Sequence, residues 1–161
     1  MNVPPFAIRP ARPGDEDLVL ALLGELAEYE KLTDKFKITR EVIARDFLGE
    51  RAPLRVDLLH EHDAPAGIAT WYFTYASFAA ARGIYLEDIF VRPQFRGHGY
   101  GKALLAHLAR QAAQTGAIRI EWSVLDWNRP SIDFYESLGA ERPRDWFTYR
   151  LSGDALARLG A

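Results

Sequence analysis

Apolar positions along the first third of the chain fall at helical spacing. Leu18, Leu22, Leu26 and Tyr29 form one stripe, and Val19 and Leu23 widen it. Asp15, Glu16 and Asp17 place negative charge where a helix dipole is positive, so a helix is predicted from there to Lys31. Phe6-Ala7-Ile8-Arg9 reads as a short strand before it, closed by Pro10 and Pro13. Thr39 suits the N-cap of a second helix, with Ile38 and Ile43 at staple positions around it, and Phe47 and Leu48 extend its apolar face to Gly49. After Pro53 the pattern turns β-prone. Leu54–His60 and Gly67–Tyr75 read as strands joined through a turn at Asp63-Ala64-Pro65, and residues 76–83 as a loop.

The stretch from Tyr85 to Leu105 combines strand, glycine loop and helix. Tyr85–Val91 is apolar and β-prone except for Glu87 and Asp88, and Pro93 ends it. Gly97, Gly99 and Gly101 alternate between Arg96 and Lys102, and a helical pattern follows to Thr115, with Gly116 as its stop. A glycine loop that opens a helix offers free backbone N–H groups and a positive dipole end, which suits a phosphate. Arg119–Val124 reads as another strand, Pro130 to Gly139 as a helix, and Trp146–Leu151 as a last strand; Ser152 onward forms one helical turn or frays. The order is β-α-α-β-β-β-α-β-α-β: an α/β fold with a mixed sheet, hairpins first and then a right-handed β-α-β crossover.

Composition narrows the function. The chain has 161 residues, enough for one domain over 1–161. A net charge of −2 leaves no basic footprint for nucleic acid. The absence of cysteine excludes disulfides, thiolate metal sites and cysteine nucleophiles, and fits a cytoplasmic setting. No apolar run approaches the roughly 18 residues that span a bilayer. Met1-Asn2-Val3-Pro4-Pro5 lacks a signal-peptide pattern. His60 and His62 read as loop residues and His107 as a helix surface residue; with His98 they show no metal-ligand spacing, so no metal is expected.

Three phosphate sites compete for the glycines. A Walker loop needs Ser or Thr after its lysine, and Ala103 stands there. A dinucleotide loop needs different glycine spacing and an acidic residue at a later strand end, whereas Glu121 lies inside a strand. The third is a coenzyme A pyrophosphate. Arg96-Gly97-His98-Gly99-Tyr100-Gly101 resembles the loop of the GCN5-related N-acetyltransferase (GNAT) superfamily: Arg or Gln, two residues, Gly, one residue, Gly or Ala. Asn128–Ala140 resembles that superfamily's asparagine–helix–tyrosine–glycine segment. Ile8-Arg9-Pro10-Ala11, Glu25–Glu30, Trp71–Tyr75, Tyr85–Val91 and Trp127–Ser131 resemble, in order and over almost the whole chain, its diamine branch of spermidine/spermine-like and thialysine acetyltransferases.

The resemblance implies a mostly antiparallel mixed sheet flanked by helices, with a β-α-β core for acetyl-CoA, and a homodimer whose C-terminal strand crosses to the partner. It implies that Gly97–Lys102 hold the pyrophosphate and that the backbone of Ile89, Phe90 and Val91 pairs with the pantetheine arm; otherwise these three are plain buried strand. Arg96 and Pro130 belong to the same cofactor segments. Asn128 either hydrogen-bonds pantetheine or caps a helix. Tyr135, with Ser131 one turn earlier, either donates to the coenzyme A sulfur or packs in the core. A phenol near pKa 10 is a weaker acid than a thiol near 8.5, so full proton transfer from an ordinary tyrosine is uphill by about 2 kcal/mol.

Glu87 is the candidate for handling the amine proton, through water; the bland alternative is a solvated strand-end carboxylate. Asp88 points to the opposite sheet face if the strand is regular, whereas a bulge would change this, so Asp88 stands as a secondary member of the acceptor site. The resemblance places Tyr29 and Glu30, with Glu121, Trp122 and Ser123, around the acceptor. Some polyamine-acting relatives carry extra acidic residues before the last tryptophan, where this chain has Arg142-Pro143-Arg144-Asp145-Trp146. Two arginines disfavour a long polycation and suit an amino acid such as lysine or thialysine. The expectation is direct acetyl transfer from acetyl-CoA to a small cationic amine. A protein or peptide acetyltransferase and a non-catalytic acyl-CoA-binding module are the rivals.

Overall fold

The computed structural model describes residues 5–161. Met1 to Pro4, which carry most of the N-terminal pattern read above, lie outside them. Two compact units are present, Met1–Ser123 and Val124–Ala161.

The first unit is a sheet with helices on both faces. It contains β1 (Phe6–Pro10), α1 (Glu16–Tyr29), α2 (Arg40–Asp46), β2 (Arg55–Glu61), β3 (Ala64–Ala76), β4 (Ala81–Val91), α3 (Tyr100–Thr115) and β5 (Ile120–Glu121). The strands lie in sequence order; all neighbours are antiparallel except β4 and β5, the parallel pair that α3 joins. Residue alternation assigns the faces. Leu58, Ile68 and Phe90 stand in one row across three strands and pack with Val19, Leu22, Leu23 and Leu26 of α1 and Ile43 of α2. Tyr100, Leu104, Leu105, Leu108 and Ala112 form the buried stripe of α3. Each fully buried Leu contributes about 1.5–3 kcal/mol. The approach of α3 is close at Gly67, where a Cβ would stand 2.8 Å from the Phe90 carbonyl and 3.5 Å from Leu104 Cδ1.

Local signals held for the helices. The Thr39 hydroxyl caps α2 by accepting from Val42 N at 3.3 Å. Gly116 ends α3 in the left-handed conformation, φ 74°. The strands departed more. The loop expected over 76–83 is a tight turn, because β3 and β4 stay paired out to Ala76 and Ala81. β5 keeps two residues of the six expected, since it pairs β4 only at Ile84 and Tyr85. His60 lies in β2 rather than in a loop.

His107 is not a helix surface residue. Its side chain is 16% exposed and its Nε2 lies 3.3 Å from Asp57 Oδ2. Asp57 is buried and accepts a hydrogen bond from Trp71 Nε1 at 2.7 Å. A carboxylate under a sheet needs such partners, because an unpaired one would carry its full desolvation cost.

The second unit holds α4 (Arg129–Ser137) and α5 (Gly153–Leu159). The strand expected over Trp146–Leu151 does not form, and Trp146, Phe147 and Tyr149 are exposed. Aromatic alternation supplies β-propensity, but a strand needs a ladder partner, and this stretch has none among the described residues. α5 runs for seven residues, longer than the single turn expected.

Candidate active site

A register shift sets the chemistry. Thr70 pairs with Asp88 and Trp71 with Leu86, so Glu87 is the extra residue of a β-bulge in β4. In a regular strand Glu87 and Asp88 would face opposite sides. The bulge, the exception to the opposite-face rule for Asp88, instead lets both residues line one cavity of about 320 Å³. Leu23, Leu26 and Ala27 of α1 and its C-cap residue Glu30 line the same cavity, followed in the chain by Leu32, Lys35, Phe36 and Ile38. The expected carboxylates Glu30, Glu87 and Asp88 therefore converge on an apolar-walled pocket.

Their proximity and burial perturb them. Burial pushes the carboxyls of Glu30 and Glu87 above the ordinary range, and the Asp88 charge pushes them further. Burial raises Asp88 as well, opposed by a hydrogen bond from the Thr70 hydroxyl. Such groups hold a proton more readily than free carboxylates and attract an ammonium ion. Among the described residues no three His, Asp or Glu side chains are grouped to hold a metal ion.

α1 is tied down beside this cavity. Arg92 donates to Glu25 through Nε at 2.9 Å and Nη2 at 2.7 Å, and to the Pro65 carbonyl through Nη1 at 3.0 Å. Such a forked pair fixes orientation as well as distance. Arg96 Nε donates to the Val91 carbonyl at 3.0 Å, and its guanidinium lies 4.9 Å from the ring centre of Tyr29. One face of Tyr29 is thus covered by a side chain of the glycine loop.

The loop geometry fits a pyrophosphate. Gly97 and Gly99 both have φ 82°, a conformation that side chains rarely adopt, and a Cβ on either would meet nothing within 4 Å. The cradle is therefore open. Gly99 caps α3, where Ala103 N donates to its carbonyl at 2.9 Å, and the amides of the first turn have no intrahelical acceptor. His98 Nδ1 lies 3.2 Å from Glu61 Oε1, and the Tyr100 hydroxyl donates to the same oxygen. Burial, and then that bond, push the Tyr100 phenol up to about 12. Tyr100 is thus a buried anchor of the loop, Gly101 follows it in the first turn, and Lys102 is exposed. Beyond Tyr85 no strand among the described residues pairs the outer edge of β4 at Ile89, Phe90 and Val91, where the Val91 carbonyl accepts only from the Arg96 side chain.

Glu121, Trp122 and Ser123 are not part of this cavity lining. Glu121 pairs with Tyr85 across β4 and β5 and forms an ion pair with Arg119 at 3.0 Å. Ser123 Oγ is 2.9 Å from the Tyr85 hydroxyl, and Trp122 between them is half-buried. In the second unit Asn128 is buried and caps α4, its Oδ1 accepting from Ser131 N at 3.4 Å. Pro130 sits in the first turn, and Tyr135 is half-buried on the same helix, its ring 5.4 Å from that of Phe134.

Residues 22–140 match the model of the acetyltransferase (GNAT) family. The chain belongs to the GNAT acetyltransferase family. This acetyltransferase is 37% identical to a thialysine N-epsilon-acetyltransferase of Bos taurus, over 94% of this chain and 95% of that protein. It is 32% identical to an L-ornithine N5-acetyltransferase of Arabidopsis thaliana, over 94% of this chain and 86% of that protein. Among solved structures, an integron cassette protein from the mobile metagenome of V. cholerae superposes with a TM-score of 0.81 at 26% identity, covering 96% of this chain and 97% of that one. Lys35, Phe36, Ile38 and Thr70 of the acetyltransferase were not legible as site residues. They lie outside the glycine and carboxylate motifs, and only folding brings them to β4.

Proposed function

We propose that this chain works as one acetyltransferase domain that moves an acetyl group from acetyl-CoA directly to the primary amine of a small cationic molecule. The acceptor class is a diamine, a polyamine or a lysine-like amino acid. The observation that carries this reading is the convergence of Glu30, Glu87 and Asp88 on one cavity of about 320 Å³. Such a volume fits a small molecule, and three carboxylates favour a cation. The names of the thialysine and ornithine relatives support it.

Acetyl-CoA, when bound, supplies a thioester carbonyl for the amine to attack. The open backbone at Gly97–Lys102 binds its pyrophosphate, and the free edge at Ile89, Phe90 and Val91 holds the pantetheine arm in register. Asp88 and Glu30 hold the acceptor's ammonium, and Glu87 takes its proton through water. Tyr135 Oη donates toward the leaving sulfur; Ser131, Pro130 and Asn128 shape that segment. Glu121, Trp122 and Ser123 complete the acceptor wall. Direct transfer follows from the lack of any cysteine to carry the acetyl group. The exposed, β-prone aromatics Trp146, Phe147 and Tyr149 support a homodimer in which this stretch gains a partner.

The test is release of free thiol from acetyl-CoA with diamines, polyamines, lysine analogues and short peptides as acceptors. Turnover with at least one small cationic amine, above that with every peptide, is expected. Binding of acetyl-CoA without turnover on any acceptor would mark a non-catalytic module, and a preference for peptides would overturn the acceptor class.

A further inference from the structure

Ten side chains line the acceptor cavity, and Lys35 is the cation among them. It closes a short turn of 3₁₀ helix, Thr33–Lys35, between α1 and α2. The three carboxylates and this lysine share one pocket, yet the side chains of Lys35, Glu30 and Glu87 take part in no hydrogen bond or ion pair among the described residues. Asp88 alone is partnered, through Thr70. Unpaired charges of both signs in one small cavity complement a ligand that also carries both signs.

Resting on the function proposed above, we infer that Lys35 is a specificity-determining residue that binds the acceptor's carboxylate, so that the acceptor is an α-amino acid with a side-chain ammonium rather than a diamine. The side-chain ammonium of such a molecule lies toward Glu30 and Asp88, within reach of Glu87 through water, and its carboxylate lies toward Lys35. A diamine offers Lys35 only a second positive charge, which repels it. Arg142 and Arg144 belong to the second unit. Lys35 places the discriminating charge on the cavity wall itself.

A matched pair of acceptors isolates the carboxylate: lysine and 1,5-diaminopentane differ by that group alone. Initial rates with saturating acetyl-CoA should show wild-type kcat/KM favouring lysine. In Lys35→Gln the KM for lysine should rise about 5-fold to 10-fold, as loss of one charge-assisted contact predicts, with kcat little changed and diaminopentane unaffected or improved. Lys35→Glu should move the ratio further toward the diamine, and Lys35→Arg should retain the lysine preference. Lys35 is exposed, so these variants should keep the wild-type melting curve. Equal use of both acceptors by the wild type, or an unchanged ratio in both Lys35→Gln and Lys35→Glu, would overturn the inference while leaving the acetyltransferase reading intact. Failure of the wild type to acetylate any small amine would overturn both.

Discussion

Thr70 donates its hydroxyl proton to Asp88 across the β3–β4 ladder, next to the bulge that displaces Glu87. The bond holds Asp88 on the α1 face of the sheet, in the row that continues from Val56 through Thr70. From there its charge acts on Glu30 and Glu87 together.

This arrangement has a stability signature. The folded-state pKa values of Glu30, Glu87 and Asp88 are raised, so these three groups bind more protons in the folded chain than in the unfolded one just above the ordinary carboxylate range. Their contribution to stability falls as pH rises from the unfolded pKa through the folded one. Asp88→Asn removes the central charge and keeps an acceptor for Thr70. We expect its Tm at neutral pH to rise by about 2–4 °C, the shift that about 1 kcal/mol produces in a chain of this size. Thermal melts between pH 4 and pH 8 check this. A lower Tm at neutral pH, or an unaltered slope with pH, counts against the crowded-carboxylate account.

Glu87→Gln keeps shape and removes the base. At neutral pH kcat/KM should fall about 10-fold to 100-fold, within the range of acid–base groups. A lysine-like amine with pKa near 10.4 loses its proton unaided at high pH, so the deficit should shrink as pH rises. The wild-type acid limb should lie above the ordinary carboxylate range, because Glu87 is raised. A pH–rate profile of both proteins reads all three, and wild-type activity in Glu87→Gln would remove Glu87 from the mechanism.

At Gly99 conformation and bulk can be separated. Gly99→Ala forces a side chain into φ 82° but meets no neighbour, so it should cost stability of about 1–3 kcal/mol from backbone strain alone. Gly99→Glu adds length and negative charge over the cradle and should weaken acetyl-CoA binding at least about 10-fold beyond Gly99→Ala. Calorimetric titration of folded variants with acetyl-CoA distinguishes them; equal affinities would place the pyrophosphate elsewhere.

Tyr135→Phe deletes the hydroxyl and retains the ring. A fall in kcat of about 10-fold or more is expected, with little change in Tm. Single-turnover rates make the comparison where chemistry limits. Unchanged single-turnover kinetics would leave Tyr135 as a packing residue of α4.

Local signals were legible without a fold. Thr39 caps α2, Gly99 and Gly116 bound α3, and Asn128 caps α4, because each acts within a few residues of itself. The glycine loop and the pair Glu87-Asp88 were readable for the same reason: their chemistry lies in contiguous residues. What they face was not. The bulge at Glu87 exists only because β3 and β4 pair in one register, and that register decides that two consecutive carboxylates share a cavity. Asp57 and His107 meet through packing of α3 on the sheet, fifty positions of chain apart. Trp146–Leu151 has the pattern of a strand and stays unpaired among the described residues, since a strand depends on a neighbour that no local pattern supplies. Lys35 looks like any surface lysine in the chain, and only the return of Thr33–Lys35 toward β4 brings it to the wall of the carboxylate-lined cavity. Caps and turns are short-range and encode themselves, whereas a pocket is made by long-range contacts whose free energy belongs to the assembled sheet and helices.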